Sequence, residues 1–432
     1  MSCDNERREL LVGPTSSGGA DPRHVAVIGA GIVGVCTALY LQRGGHRVTL
    51  IDRLGPGEGA SKGNAAVIAA ESCVPVATPG ILGRVPGMLM DPLGPLAIRC
   101  RYLPKLAPWL WEFVKASSPR RVEEISIALR PLLVQAIESY VPLMKSAGIE
   151  DMLRRTGWLG VYETDTKFAA AQADFALQRR RGVQMTVLPA EEIRQFEPSL
   201  APIYKHAVYF PENAYVTDNF RLVQALAESL VRNGGTLLQE EVRDFALGPN
   251  GPTHVITDKA RHAIDAVALT GGAWSKSLSL KLGHRPLLET ERGYHVMFPD
   301  PGFAPRLPIY SGEHTFAVTP LEHGLRIAGT VELGGLEAPP NFARARVLLE
   351  RGRRMFPQLN ETGKTEWMGF RPSMPDSVPV ISGSDQHRNA FFSFGHGHIG
   401  LTLGAVTGRV MADLVAGRDP GLDMRPYRID RF

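Results

Sequence analysis

Residues 24–53 read HVAVIGAGIVGVCTALYLQRGGHRVTLIDR, and the order of residue types in them decides the fold. Val25 to Ile28 is a short apolar run that reads as a buried parallel strand. It stops at Gly29-Ala30-Gly31-Ile32-Val33-Gly34, a G-x-G-x-x-G turn. Beyond the turn, Ala38, Leu39 and Leu41 put small and apolar residues on one helical face, and Gly44-Gly45 ends the helix. A second strand, Val48 to Ile51, ends at Asp52, at the spacing from the first glycine that a dinucleotide fold requires. Each glycine has its own task. Gly29 permits the tight turn, Gly31 lets backbone approach a pyrophosphate, and Gly34 lets helix and strand pack closely. The helix N-terminus offers unpaired N–H groups to the phosphates, and Asp52 is placed to accept ribose hydroxyls. A glycine turn with no ligand is the alternative; the flanking strands, helix and acid weigh against it.

Working outward, 432 residues exceed what one core usually organises, so two domains are expected. Hydrophobic residues at 44% and charged residues at 21% describe a globular chain. The net charge of +4 is small for this length, and no Lys/Arg run is interleaved with aromatics, so no nucleic-acid partner is expected. Cys3, Cys36, Cys73 and Cys100 lie far apart without a C-x-x-C, which argues against a zinc site or a disulfide framework. A reducing, cytoplasmic compartment fits that usage. Residues 1–22 lack an apolar h-region and read as a disordered extension, not a signal peptide. No apolar stretch outside the fingerprint is long enough to span a bilayer, which leaves peripheral contact at the inner membrane face as the only membrane role.

After Asp52 the loop PGEGASKGNAAVIA, residues 56–69, is rich in small residues and can pass close to a flat ligand. Ser61 and Asn64 are its hydrogen-bonding groups. From Cys73 to about Pro108 the chain is dense in Pro and Gly, and Trp109, Trp111 and Phe113 follow. These aromatics read as core, with a membrane surface as the other reading. Residues 120–147 carry helical periodicity with Pro131 at a start or kink, Gly157–Tyr162 is strand-like, and Lys167–Arg181 reads as a polar helix. Thr217-Asp218 caps an amphipathic helix through Leu222, Leu226 and Leu230. Ala266–Leu269 is another buried strand, closed by Thr270-Gly271-Gly272-Ala273-Trp274. Residues 284–335 read as antiparallel strands, and a helix is expected at 341–355.

The last unit, AFFSFGHGHIGLTLGAVTGRVMADLVAG at 390–417, is a second strand–turn–helix of ligand-binding type. Gly400, Gly404 and Gly408 in its helix are spaced for close packing. A simple nicotinamide dehydrogenase has no need of such a unit, whereas a larger cofactor with a ring system at its far end does. Taken together, the fingerprint, Ser61-x-x-Asn64-Ala65, the T-G-G-A-W return, Gly369-Phe370-Arg371-Pro372, residues 375–381 (PDSVPVI) and residues 395–402 (GHGHIGLT) resemble the FAD-dependent D-amino-acid dehydrogenases. Those are relatives of D-amino acid oxidase, glycine oxidase and sarcosine oxidase. The resemblance covers residues 24–417 in order. The segment from Pro56 to Arg99 is similar to members that oxidise cyclic D-imino acids such as cis-4-hydroxy-D-proline. Two departures fall in the loop expected near the flavin: Lys62, where an aromatic residue is frequent, and Ala66, where Gly is usual.

The resemblance implies an α/β fold in which a Rossmann-like FAD-binding domain (24–72, 208–282 and 376–418) is interleaved with an antiparallel-sheet α+β substrate domain (73–207 and 283–375), followed by a tail at 419–432. It implies non-covalent FAD contacted by Gly29 to Gly34, Asp52 and Arg53, then by Ser61, Asn64 and Ala65. Val242, Gly271 and Trp274 join this set, as does the terminal turn Gly397, His398, Ile399, Gly400, Leu401 and Thr402. The substrate is a D-amino or D-imino acid, and electrons leave to a quinone or another carrier; an oxygen-using oxidase and a non-catalytic flavin subunit are the competing readings. Arg371 is the candidate carboxylate clamp, because its planar fork grips a carboxylate with two bonds. A structural pair with Asp376 or Glu366 is its alternative role. Tyr294 and Arg292 are further substrate candidates, each equally readable as packing. Glu289 and Glu291 read as a solvated strand edge. No residue is assigned as catalytic base, no metal set is present around His396 and His398, and the oligomeric state is open.

Overall fold

The computed structural model describes residues 22–81, 83 and 96–432. The expected N-terminal extension up to Asp21, and Arg84 with most of the Pro- and Gly-rich stretch after it, lie outside the described residues. The chain opens with strand β1 (His24–Ile28), helix α1 (Ile32–Arg43) and strand β2 (Arg47–Asp52). Val25 to Val27 have no exposed surface, because β1 is covered on both sides: it pairs in parallel with β2, and with a later strand through Val25 opposite Ala266. A buried parallel strand needs an unbroken apolar run, which this sequence supplies.

Continuing along the chain, β3 (His206–Phe210) precedes α2 (Asn219–Arg232), β4 (Thr236–Gln239) and β5 (Ala266–Leu269). Asp218 caps α2, its carboxylate accepting from the N–H groups of Phe220 and Arg221. Next come the long strands β6 (Glu289–Phe298), β7 (Gly324–Leu333) and β8 (Thr365–Ser373), then β9 (Val380–Gly383), β10 (Ala390–Phe394) and α3 (Gly400–Val415). One sheet has the order β4-β2-β1-β5-β10-β9, parallel except for its last pair. Segments from the start, middle and end of the chain thus meet in one layer. Helix α3 crosses α1 at backbone contact. A Cβ on Gly408 would lie 2.6 Å from the carbonyl carbon of Cys36, and one on Gly404 would lie 2.7 Å from the Tyr140 hydroxyl oxygen.

A second, largely antiparallel sheet carries β8-β6-β7 at one end and continues through Phe316–Leu321, Ile309–Ser311 and Trp158–Tyr162 to β3 and Thr186–Pro189. Several features differ from the sequence expectations or add to them. β3 belongs to this second sheet, so the chain returns to the parallel layer only with α2 and β4, not at residue 208. The periodic stretch 120–147 is two helices, Pro119–Val134 and Ala136–Ala147, and the polar stretch at 167–181 breaks at Ala171. The tail packs back onto the body: Tyr427 is buried and donates to the Ala128 carbonyl, and Arg431 forks onto the buried Asp376 at 2.9 and 3.0 Å. Finally, Glu289 and Glu291 are buried, because β6 is an interior strand with β7 on one side and β8 on the other.

Candidate active site

The nucleotide end follows from the glycines. Gly29 has φ +105°, a left-handed value that L side chains avoid, and a Cβ there would meet the Thr270 carbonyl oxygen at 2.7 Å. A Cβ on Gly34 would sit 1.8 Å from the Gly29 carbonyl oxygen, so helix and turn are in contact. Gly31 differs: its nearest neighbour would be the Ser61 hydroxyl at 3.4 Å, leaving open space on the side where a phosphate approaches. Asp52 braces the turn. Its oxygens accept from the N–H groups of Ala30 (2.8 Å), Leu54 (2.8 Å) and Gly55 (3.1 Å). About one of its four lone pairs therefore remains for a ribose hydroxyl. Arg53 lies 4.3 Å over the Trp274 ring, and a cleft of about 350 Å³ beside it is lined by Arg53, Leu54, Gln239, Glu240, Glu241, Asp258 and Lys259. Val242 follows directly on that cleft. A larger cleft of about 410 Å³, lined by His284, Asp385 and Asp430 among others, includes none of the sequence-read site residues.

The loop after β2 is held from both layers. Ser61 accepts from the Ile32 N–H at 2.9 Å, tying the loop to the first turn of α1. Asn64 accepts from Ala66 N–H (2.8 Å) within the loop, and Thr319 donates to the Ala65 carbonyl at 2.7 Å. The supports that sequence reading missed come from the antiparallel sheet. Arg326 donates to the Asn64 carbonyl at 2.6 Å, and His295 pairs with the Gly63 carbonyl at 2.9 Å while stacking on Trp367. Burial, reinforced by the Arg326 charge, drives the His295 pKa down to about 3, so the ring is neutral and its Nδ1–H donates. The two departures resolve differently. Lys62 turns to Glu58 (2.8 Å) and the Phe220 ring, while Ala66 adopts φ +58°, a left-handed conformation that favours Gly.

The candidate substrate end lies where β6, β8 and the turn before α3 converge. Arg371 stands directly across from Glu291 in the β6–β8 ladder. Its guanidinium lies flat over Gly293, whose absent Cβ would be 2.1 Å from Arg371 Cζ, and its Nη1 donates to the Thr330 carbonyl at 3.0 Å. Thr330 is a β-branched residue at φ +57°, in the stretch where the β6–β7 register shifts, and its buried hydroxyl has no partner. Backbone strain of this kind concentrates at functional sites. Glu291 accepts from Ser373 at 2.7 Å and lies 2.9 Å from His398 Nε2. Burial alone would raise its pKa; the His398 and Arg371 charges and the Ser373 hydroxyl outweigh it and hold the carboxyl at about 2. The alternatives for Arg371 fall away, since Asp376 is occupied by Arg431 and Glu366 stands opposite Val296.

Tyr294 and Arg292 are corrected. The Tyr294 hydroxyl donates to Glu332 at 2.5 Å and accepts from Asn341 N–H at 2.9 Å, and Arg292 directs its donors to the carbonyls of Gly335, Ala338 and Pro339. Both side chains sit fully buried and are turned to these partners, away from any open face. On the parallel-sheet side, Gly397 has φ +52° and the terminal turn leads into α3 with no side-chain cap. The first-turn N–H groups there have no acceptor within the helix, as the negatively polarised end of a flavin requires. His396 is buried with Nε2 on Thr407 at 3.0 Å, and burial lowers its pKa to about 3. Trp109 is core and donates to the Ser373 carbonyl at 3.1 Å, whereas Trp111 is 67% exposed, so the expectation of core holds for one and not the other. Among the described residues no group of side chains could hold a metal ion, and no helix is long and apolar enough to cross a membrane.

Comparisons with known proteins place the chain in a family. The model of the FAD dependent oxidoreductase (DAO) family matches residues 24–414. A D-amino-acid oxidase of Bradyrhizobium diazoefficiens is 41% identical over 95% of this chain and 99% of its own. A D-amino acid dehydrogenase of Paramagnetospirillum magneticum is 31% identical over 94% of this chain and 98% of its own. Among solved structures, glycine oxidase from Geobacillus kaustophilus superimposes with a TM-score of 0.73 at 22% identity, covering 96% of this chain and all of that one. At that identity the superposition speaks for the fold. The open face of Gly31, the uncapped start of α3 and the loop between them fit an extended dinucleotide with a ring system, and the chain belongs to the DAO family of FAD-dependent oxidoreductases.

Proposed function

We propose that this enzyme oxidises a D-amino acid or a cyclic D-imino acid of the D-proline or cis-4-hydroxy-D-proline kind, and that its electrons pass to a quinone or another carrier. The observation that carries the reading is Arg371. It is a half-buried side chain whose guanidinium is laid over Gly293 and anchored by one nitrogen, with the rest of its fork available to a carboxylate. The bound flavin supplies the hydride acceptor. The chain's own residues do the remainder: Arg371 orients the substrate carboxylate, the loop 61–66 holds the cofactor face, and the N-terminus of α3 favours the negative charge that reduction brings. Relatives named D-amino acid dehydrogenase support the substrate class. A carrier dissolved in a membrane would be met at the surface that exposes Leu103, Lys105 and Trp111.

The second reading, an oxidase, is favoured by the 41% identical relative, which is named a D-amino-acid oxidase. Stopped-flow reoxidation separates the two. Substrate-reduced enzyme should be reoxidised much faster by a short-chain quinone or a dye than by air-saturated buffer. Oxygen reoxidation as fast as turnover, with stoichiometric peroxide, would make it an oxidase.

A further inference from the structure

We infer that Thr330 is the positioning residue of the Arg371 clamp, acting through a β-bulge that turns its carbonyl onto the guanidinium. The inference rests on the function proposed above. In the ladder between β6 and β7, Arg292 faces Glu332 and Tyr294 faces Gly329. Gly293 on β6 is therefore opposed by two residues of β7, Thr330 and Val331, which makes a β-bulge. The bulge falls where β7 changes neighbours on its other side. Gly329 still pairs with Phe316, and from Val331 onward the partner is the short strand Leu96–Ile98. Among the described residues, Thr330 is the one position of β7 with a partner in no adjacent strand. In a regular ladder a carbonyl lies in the sheet and is taken up by the next strand. At the bulge it can accept instead from a side chain lying on the sheet.

Arg371 is that side chain. It starts from β8 and crosses the intervening β6 over Gly293, where an added Cβ would lie 2.1 Å from Cζ. Its Nη1 then donates to the Thr330 carbonyl at 3.0 Å. The long side chain is thereby fixed at both ends, so less rotamer freedom is left to lose when a ligand binds. With Nη1 held, Nε and Nη2 remain as one edge of two parallel donors, the geometry that grips a carboxylate side-on. Thr330 is β-branched and sits at φ +57°, a conformation that glycine or asparagine adopts at lower cost. Its hydroxyl is buried without a partner, so what the residue supplies to the clamp is its backbone carbonyl. A bulge that merely accommodated the change of neighbour would need neither a glycine opposite it nor an arginine on its carbonyl.

The test titrates benzoate, a carboxylate without an amine, against the flavin spectrum of FAD-loaded wild type and variants. KM and kcat for a D-amino acid, with a dye as acceptor, are measured beside it. Deleting Thr330 restores a regular ladder and removes the anchor. Benzoate Kd and substrate KM should then rise about tenfold, as for the loss of one hydrogen bond to a charged group, with a smaller change in kcat. Thr330→Gly keeps the extra residue but not its stiffness, so the melting temperature should hold or rise while benzoate affinity falls roughly threefold. Thr330→Asn, which tolerates the left-handed conformation and keeps a side chain, should restore the affinity. In an Arg371→Lys background the deletion should cost no further affinity, whereas a structural role predicts that the two losses add. Benzoate affinity equal to wild type in both Thr330→Gly and the deletion overturns the proposal, as does full additivity with Arg371→Lys. If the deletion does not fold, Thr330→Gly and Thr330→Asn decide alone, and unchanged affinity in Thr330→Gly overturns it. Absence of benzoate binding to wild type would remove Arg371 as a carboxylate clamp and this inference with it. Failure of every D-amino acid to reduce the wild-type flavin, with benzoate still bound, would instead refute the functional reading and leave the clamp standing.

Discussion

Replacing Gly293 by alanine adds one methyl group to the floor of the clamp. That carbon would sit 2.1 Å from Arg371 Cζ, 2.2 Å from Nη2 and 2.5 Å from Nη1. Ordinary carbon contacts lie near 3.5–4.0 Å, so the guanidinium must lift by more than about 1 Å. Its Nη1 bond to the Thr330 carbonyl is then lost, and the fork leaves its position opposite Glu291. A hydrogen bond to a charged group contributes about 1.5–3 kcal/mol, and misplacing the fork removes a contact of that size from the bound substrate. At 1.4 kcal/mol per decade, apparent substrate affinity should fall roughly ten- to a hundredfold. The assay is steady-state kinetics together with spectral titration by a simple carboxylate inhibitor, after confirming unchanged FAD content. Arg371→Lys should produce a loss of similar size. Unchanged KM and inhibitor affinity in Gly293→Ala would remove Arg371 from the substrate.

Gly31→Val should leave the apo-protein's melting temperature close to wild type, because only Ser61 lies near the added carbon, while FAD content drops; full FAD loading would discredit the fingerprint. Gly34→Ala, with its Cβ 1.8 Å from a carbonyl oxygen, should instead reduce soluble folded protein. Ala66→Gly relieves a left-handed alanine whose strain is about 1–2 kcal/mol, offset in part by the flexibility of glycine, so a thermal melt should show a small gain; a loss would mean that the methyl group packs usefully. Glu71 is buried, and burial raises its pKa from 4.5 to about 7. A raised carboxyl contributes its stability below the unfolded pKa and loses it as pH rises through the folded one. Glu71→Gln should therefore be more stable than wild type at pH 8, by roughly 3 kcal/mol at 1.36 kcal/mol per unit, and equal to it at pH 4; the same difference at both pH values would sink the assignment.

The parallel layer was legible because three of its strands, β1, β5 and β10, are short apolar runs with a glycine turn behind them, and those signals are local. Val25–Gly34, Ala266–Trp274 and Ala390–Thr402 each carry theirs within about a dozen residues. Glu291 was misread for the opposite reason. Its charge argues for solvent, and only pairing with β7 and β8 encloses it with His398, Ser373 and Arg371. Tyr294 and Arg292 fit a substrate role by residue type, yet Glu332 and the carbonyls of Gly335–Pro339 that occupy them lie some forty residues downstream. Likewise the supports of the 61–66 loop, His295, Arg326 and Trp367, come from the other sheet at separations of more than two hundred residues. Thr330 had no sequence signal, since a left-handed threonine is visible only in the folded backbone.

The central claim is oxidation of a D-amino or D-imino acid by bound FAD, and anaerobic bleaching tests it most directly. The purified protein should be yellow, with about one FAD per chain, and lose its visible absorbance when a D-amino acid or a cyclic D-imino acid is added without oxygen. The matching L-enantiomer should leave the spectrum unchanged. Bleaching by the L-enantiomer alone, or by neither, would contradict the claim.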